Sequence, residues 1–286
     1  MAKGRELKGR IKSVENTRKI TRTMEMIATS KMKRAQDRVI AARPYARALA
    51  DVISSLYTSD LADEFPLLRQ PKQVKRAAVL LLTSNRGLAG GFSSNLIKEA
   101  RALISRLETS GAEVELHVVG RKGIGYFRYI GRAVKVSRTD ITDRPTSADA
   151  ASLVETVMTD YASGALDAVY VVCAQYKSAL SSPPASELVL PVTKPEKKGP
   201  QKDYLLFPSA AEILNALLPA YVRNAVYRAL VETAAAEQAA RRTAMKNATD
   251  NAGDMLNVLR RTYNRARQAN ITQEIAEIVG GAAALE

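Results

Sequence analysis

The chain has 286 residues, a formal charge of +14, one cysteine and no tryptophan. The lone thiol, Cys173, excludes an internal disulfide framework and fits a reducing compartment. No apolar run approaches the roughly 20 residues that a membrane-spanning helix needs, and the opening Met1-Ala-Lys-Gly-Arg-Glu6 lacks the apolar stretch of a secretory leader.

The charge is unevenly placed. Residues 1–58 hold 14 Lys/Arg against 5 Asp/Glu, whereas residues 209–286 hold 9 against 8. An acidic partner is therefore expected on the N-terminal segment: nucleic acid, anionic lipid or an acidic protein surface.

From Lys3 to about Tyr57 the sequence reads as one helix, with Glu6 and Arg10, and Glu15 and Lys19, as favourable pairs four residues apart. Met32, Ala35, Val39, Ala42, Ala46, Leu49, Ile53 and Leu56 recur in alternating steps of three and four, a heptad seam. Leu7, Ile11 and Val14 form an earlier seam whose continuation is polar, at Arg18 and Thr21. Ile20, Met24 and Ile27 then suggest a shifted phase, so the seam is expected to slip around Arg18. Pro44 is expected to kink or break the helix.

Leu61 to Gln73, with two prolines, reads as a linker. Ala77 to Thr83 is a continuous apolar run, the mark of a strand buried on both faces. A Gly-rich loop, 85–91, leads into a helix from Ser93 to about Thr109. Further strands are predicted at Glu113–Val119, Val134–Val136 and Ala168–Ala174, with helices at Lys122–Tyr129 and Ala148–Tyr161. An edge strand is predicted at Glu187–Leu190, and the rest of Pro183 to Pro208 as loop. Strands alternating with helices imply a small, mostly parallel α/β sheet. Ser209 is a candidate N-cap with Glu212 three residues on, and Pro219 is expected to divide a short leading helix from a long one. Ala-rich positions dominate the first half of that helix. Leu256, Leu259, Tyr263 and Ala266 form a seam, and Ile271, Ile275, Ile278, Ala282 and Leu285 a second one displaced near Asn270.

At about 1.5 Å per residue the two terminal helices reach roughly 80 and 100 Å. Neither fits inside an ordinary domain, and a compact domain that returns the chain between them makes antiparallel pairing the simplest arrangement. The predicted fold is thus an α/β domain of Rossmann-like, mostly parallel sheet inserted between two long helices of an antiparallel coiled coil. Its parts are residues 1–60, 74–192 and 209–286.

No catalytic constellation emerges. Gly87, Gly90 and Gly91 follow a strand and precede a helix, but lack both the P-loop ending and dinucleotide spacing, so tight turns explain them better than phosphate binding. His117 is the only histidine and has no zinc or triad spacing, which favours a structural role. Glu113 and Glu115 alternate on one strand face, as solvated residues do. The basic N-terminal helix has Tyr45 and Tyr57 as its only aromatics, which leaves little for base stacking. Arg18, Lys19, Arg22, Lys31, Lys33 and Arg34 instead favour a charged face against acidic protein loops. A nucleic-acid-binding coiled coil and a nucleotide-binding enzyme remain the alternatives on composition and motif alone.

Three segments carry a resemblance. Arg10-Ile-Lys-Ser-Val-Glu-Asn-Thr-Arg-Lys-Ile-Thr-Arg-Thr-Met-Glu-Met-Ile-Ala-Thr-Ser-Lys-Met-Lys33 resembles the N-terminal helix of the ATP synthase gamma-subunit family. Met245-Lys-Asn-Ala-Thr-Asp-Asn-Ala252, Tyr263-Asn-Arg-Ala-Arg-Gln-Ala269 and Ile271-Thr-Gln-Glu-Ile-Ala-Glu-Ile-Val-Gly-Gly-Ala282 are similar to its C-terminal end. Thr83-Ser-Asn-Arg-Gly-Leu-Ala-Gly-Gly-Phe92 resembles its first strand and turn. The resemblance implies the central rotor of an F-type proton-translocating ATP synthase, non-catalytic itself, with no cofactor or metal and no nucleic-acid partner. It implies contacts with alpha and beta subunits, the epsilon subunit and the membrane c-ring. It also implies a peripheral place on the cytoplasmic face of a bacterial inner membrane. Carried over by position, Met24, Arg241, Arg267, Gln268, Thr272 and Glu274 become expected contacts with beta subunits.

Overall fold

A computed structural model describes residues 2–56, 65–193 and 209–283. The elements in chain order are α1 (Ala2–Leu56), a 3-10 turn (Pro66–Leu68), β1 (Arg76–Leu82), α2 (Phe92–Thr109), β2 (Glu113–Val119) and α3 (Arg121–Tyr129). They continue with β3 (Val136–Arg138), α4 (Ser147–Ala162), β4 (Ala168–Ala174), β5 (Pro184–Leu190) and α5 (Ala210–Ala283). The chain divides into two compact units, one of residues 1–28 with 241–286 and one of residues 29–240.

The larger unit is built on a five-stranded sheet of order β3-β2-β1-β4-β5. β1 lies at its centre, parallel to both β2 and β4, while β5 is an antiparallel edge strand. Alternation along β1 divides the core in two. Ala78, Leu80 and Leu82 face Leu153, Val154, Val157 and Tyr161 of α4, together with Leu49 and Ile53 of α1 and Leu214, Leu218 and Val222 of α5. Ala77, Val79 and Leu81 face Leu96, Ala100 and Leu103 of α2, with Met32, Ala35 and Val39 of α1 and Val231, Ala235 and Ala239 of α5. Within this unit the early part of one long helix thus shares a core layer with the late part of the other, so the two run antiparallel.

The α1 seam predicted from Met32 to Leu56 is the face that enters these layers: six of its eight members are buried, and Ala42 and Ala46 are half-buried. Glu113–Val119 and Ala168–Ala174 are strands over the predicted residues. The third strand lies later than expected, at Val136–Arg138, and the edge strand starts earlier, at Pro184. The predicted linker from Leu61 and the loop up to Pro208 lie partly outside the described residues, as do Tyr57 and Leu285.

The break expected as one alternative at Pro44 and the division expected at Pro219 are corrected. α1 runs through Pro44 and α5 through Pro219 as continuous helices, so Pro219 does not set off a separate leading helix among the described residues. Each proline removes one helix hydrogen bond, but burial on either side holds the backbone helical: Val39 and Leu49 flank Pro44, and Leu214, Leu218 and Val222 flank Pro219. Ser209 does cap α5, its hydroxyl accepting from the Glu212 amide at 3.2 Å.

The ends of β1 and β2 are sewn together by Thr83. Its amide and hydroxyl both donate to the Val119 carbonyl at 2.8 Å, and its Oγ1 accepts from the Gly123 amide at 3.0 Å. Gly120, with φ +98°, turns the chain from β2 into α3 directly against the Thr83 backbone.

His117 is buried on β2, between Leu116 and Val118. Its Nε2 has no hydrogen-bond partner, and Glu115 Oε2 is 3.9 Å away, held instead by Lys135 at 2.7 Å. Burial lowers the imidazole pKa below 6.5, outweighing the Glu115 carboxylate, while Lys135 adds to the lowering and Asp160 opposes it. Only the unfolded chain takes the proton as pH falls through about 6.5, so the histidine's contribution is intact above that pH and lost below it. Chemical denaturation at pH 7.5 and 5.5 should show a stability loss for the native chain that His117→Gln reduces.

Candidate partner-contact site

In doubly wound folds, ligands sit beyond the carboxyl ends of the strands, where the strand order reverses. Here that place, between the ends of β1 and β4, is built from the chain's own groups. The Ala174 amide donates to Thr233 Oγ1 and the Tyr176 amide to Glu232 Oε2, both at 3.2 Å, and both acceptors belong to α5. The Gly-rich loop is equally committed. Asn85 Nδ2 donates to the carbonyls of Thr139 and Ile141 and its Oδ1 accepts from the Arg121 amide, while Ser84 Oγ lies 2.7 Å from Ser93 Oγ. The loop works as a structural joint, and the crevice is filled by a helix.

The smaller unit is a pair of helical segments, 2–28 of α1 and 241–283 of α5. Glu15 pairs with Arg260 at 2.5 Å, Arg18 lies against Gly253, and Thr21 meets Thr249 at 2.8 Å. The numbers fall on one helix as they rise on the other, so this pair is antiparallel too. Its buried set is thin: Ala28, Met245, Ala252 and Leu256, with the polar Thr21, Arg241 and Thr249.

This geometry corrects the expected slip around Arg18. The repeat seen later in α1 extends backwards without interruption through positions 28, 25, 21, 18, 14, 11 and 7, in steps of three and four. Ala28 and Thr21 on that line are buried, whereas Ile20 and Ile27 are exposed and Met24 half-buried. The phase is constant and the chemistry changes. Thr249 donates to Thr21 Oγ1, which in turn donates to the Arg18 carbonyl at 3.1 Å. The absence of a Cβ at Gly253 leaves room for the Arg18 guanidinium. Arg18 and Thr21 stand on the polar continuation that the sequence shows; their partners Thr249 and Gly253 were missed, because only apolar side chains were followed along the C-terminal helix.

Two surfaces result. The first is a cleft of about 350 Å³ lined by Glu15, Arg18, Lys19, Arg22, Leu256 and Arg260, four cations against one carboxylate. The second is apolar. From the Glu15–Arg260 contact, Ala2 stands opposite about position 273. The last turns of α5 therefore extend beyond the start of α1. Ile275 and Ile278 there are 56 and 72 % exposed, and Ile271, just short of that point, is 46 % exposed. The displaced seam expected from the sequence thus has no covering helix among the described residues. The positions that continue the in-phase line, Gln273 and Glu277, bond to each other at 2.8 Å.

The six expected contact residues divide accordingly. Arg267, Gln268, Thr272 and Glu274 are exposed on α5, Met24 is half-buried, and Arg241 is only 9 % exposed. No group of three or more metal-ligating side chains occurs among the described residues, and none of their helices is long and apolar enough to cross a membrane.

Within the larger unit a helix packs at the strand ends where doubly wound folds hold ligands, and within the smaller unit a helix pair leaves basic and apolar faces uncovered, features of a subunit built for assembly. Comparison with known proteins agrees. The family model described as ATP synthase matches residues 3–285. An ATP synthase gamma chain of Gemmatimonas aurantiaca is 66 % identical, covering 100 % of both chains. One of Frankia casuarinae is 46 % identical over 98 % of this chain and 97 % of its own. Among solved structures, the central stalk and c-ring of Tetrahymena thermophila mitochondrial ATP synthase contains a chain 26 % identical, with TM-score 0.62, over 80 % of this chain and 99 % of that one. A chain of the Euglena gracilis mitochondrial enzyme shares the fold, at 18 % identity and TM-score 0.69, over 99 % of this chain and 95 % of its own. The chain belongs to the ATP synthase gamma-chain family.

Proposed function

We propose that this chain is the central rotor subunit of an F-type proton-translocating ATP synthase. It couples rotation of a membrane c-ring to conformational cycling of catalytic beta subunits, and has no active site of its own. The observation that carries this reading is the uncovered apolar row Ile271, Ile275 and Ile278 at the end of a helix that runs past its partner. An exposed apolar row of this kind marks a surface that another protein covers. A ring of alpha and beta subunits around residues 2–28 and 241–283 supplies that cover, and the basic cleft at Arg18, Lys19 and Arg22 suits an acidic beta-subunit loop. Met24, Arg267, Gln268, Thr272, Glu274 and the nearly buried Arg241 are proposed contacts with beta subunits. Residues 74–192 form the proposed foot, meeting the epsilon subunit and the c-ring on the cytoplasmic face of a bacterial inner membrane.

Affinity purification of the tagged chain from gently solubilised membranes tests this directly. Alpha, beta, epsilon and c subunits should co-purify, and cysteines placed at positions 18–24 should crosslink to a beta subunit. Failure to recover alpha and beta subunits would refute the assignment.

The apolar row gives a second test. Ile275→Gln with Ile278→Gln should leave the isolated chain's denaturation midpoint unchanged, within about 0.5 kcal/mol for exposed sites. The same pair should lower the temperature at which the assembled complex loses ATP hydrolysis. Equal midpoints for both complexes would exclude burial of this row.

A further inference from the structure

Most of the contact between α5 and the rest of the larger unit is small and apolar: Val226, Ala229, Leu230, Ala234, Ala235 and Ala236 are all buried. Apolar contact is non-directional, so by itself it resists sliding or turning of a helix poorly. One cluster differs. Arg228, Glu232 and Thr233, within six residues of α5, reach the last residues of β4 and the middle of β5. Arg228 Nη2 lies 3.0 Å from Glu187 Oε2, and its Nε 3.9 Å from Glu232 Oε1. Glu187 Oε1 accepts from Gln175 Nε2 at 2.9 Å. Glu232 Oε2 accepts the Tyr176 amide and Thr233 Oγ1 the Ala174 amide, both at 3.2 Å. The helix is therefore tied to two main-chain amides and to a charge pair across the antiparallel edge of the sheet.

Burial strengthens the two amide ties most. Thr233 is buried and the Glu232 side chain is 17 % exposed, so water competes weakly at those bonds, whereas the Arg228–Glu187 pair is half-exposed and adds a charge-assisted, directional contact. Each acceptor is directional, and a helix displaced along or about its axis must break them together.

We infer that Arg228, Glu232, Thr233 and Glu187 form the torque-bearing anchor that fastens α5 to the α/β unit. The inference rests on the rotor reading above. These are positioning residues, acting through the helix and touching no nucleotide. Their contribution appears only under load. An unloaded rotor turns against little resistance and the apolar contact suffices, whereas a loaded one stresses the directional bonds.

The test uses the assembled synthase in sealed membrane vesicles carrying Arg228→Met with Glu187→Gln, and separately Thr233→Val. ATP hydrolysis with the proton gradient collapsed should stay within about twofold of the unsubstituted complex. ATP-driven proton pumping against an opposing gradient should stall early, with protons moved per ATP reduced by about half. Amide exchange at Ala174 and Tyr176 should quicken by about fivefold, the scale of one hydrogen bond's net contribution. Arg228→Lys should restore part of the pumping. Loss of amide protection with the pumping-to-hydrolysis ratio unchanged would overturn the anchor, as would a parallel fall in both activities. Failure of the rotor reading itself would be distinct: the unsubstituted chain would be missing from the pumping complex.

Discussion

Gly120→Ala is expected to abolish folding of the α/β unit, or to lower its stability by about 3–5 kcal/mol, the range of strained backbone combined with a hard clash. Gly120 has φ +98° and ψ 137°, a conformation that side chains rarely adopt. A Cβ there would lie 2.2 Å from the Thr83 carbonyl oxygen and 2.6 Å from its carbon. Those are backbone atoms at the end of the central strand, and they cannot move without breaking the Thr83–Val119 bonds. Native domains are stable by only about 5–15 kcal/mol, so the loss removes much of the margin. Gly123→Ala should cost less, because its Cβ would meet side-chain atoms, Thr83 Oγ1 and Val118 Cγ1, both at 2.8 Å. Gly125→Ala, with open space around it inside α3, should be neutral or stabilising. Urea denaturation of the three purified variants gives the order. A Gly120→Ala midpoint equal to that of Gly125→Ala would show that the turn tolerates a Cβ.

Much of the fold was legible because its central strands are buried on both faces. Arg76–Leu82 and Ala168–Ala174 are nearly continuous apolar runs, and Glu113–Val119 places Val114, Leu116, Val118 and Val119 around its polar positions. The seam from Met32 to Leu56 was legible because every member is apolar or small. Legibility failed where burial was decided by the partner helix. Thr21 is buried because Thr249 offers it a hydroxyl, and Arg18 finds space because position 253 is glycine. Neither fact is visible in residues 10–28 alone, and the conspicuous Ile20 and Ile27 pointed to a slip that does not exist. The prolines failed for a related reason: local propensity opposed the helix, and packing at Leu218 and Val222 overrode it. Ile271 to Ile278 was legible as a seam but not as an exposed one, since among the described residues no second helix extends past about position 273 to cover its end. The six expected contact residues came from family resemblance. Geometry leaves four of them open to a partner, with Met24 half-buried and Arg241 only 9 % exposed.

Reversing the charge of the basic cleft should have the largest effect on assembly. Arg18→Glu, Lys19→Glu and Arg22→Glu together turn a cleft of four cations and one carboxylate into one dominated by acid. Placing like charges against an acidic surface costs several kcal/mol, so affinity for the proposed alpha–beta ring should fall by more than about a hundredfold. The association rate should fall most at low salt, because steering by opposite charge is what salt screens. The chain itself should remain folded. All three residues are exposed, and the Glu15–Arg260 pair that ties the helices is untouched. Arg18 needs its own control, since its guanidinium packs beside Gly253; Arg18→Met keeps much of that contact and removes one charge. Association measured by light scattering or stopped-flow fluorescence, at rising ionic strength, separates the causes. Slow association that salt relieves places the cleft against an acidic partner. A loss of binding that salt does not alter, shared by Arg18→Met, would instead place the defect in the packing of the helix pair.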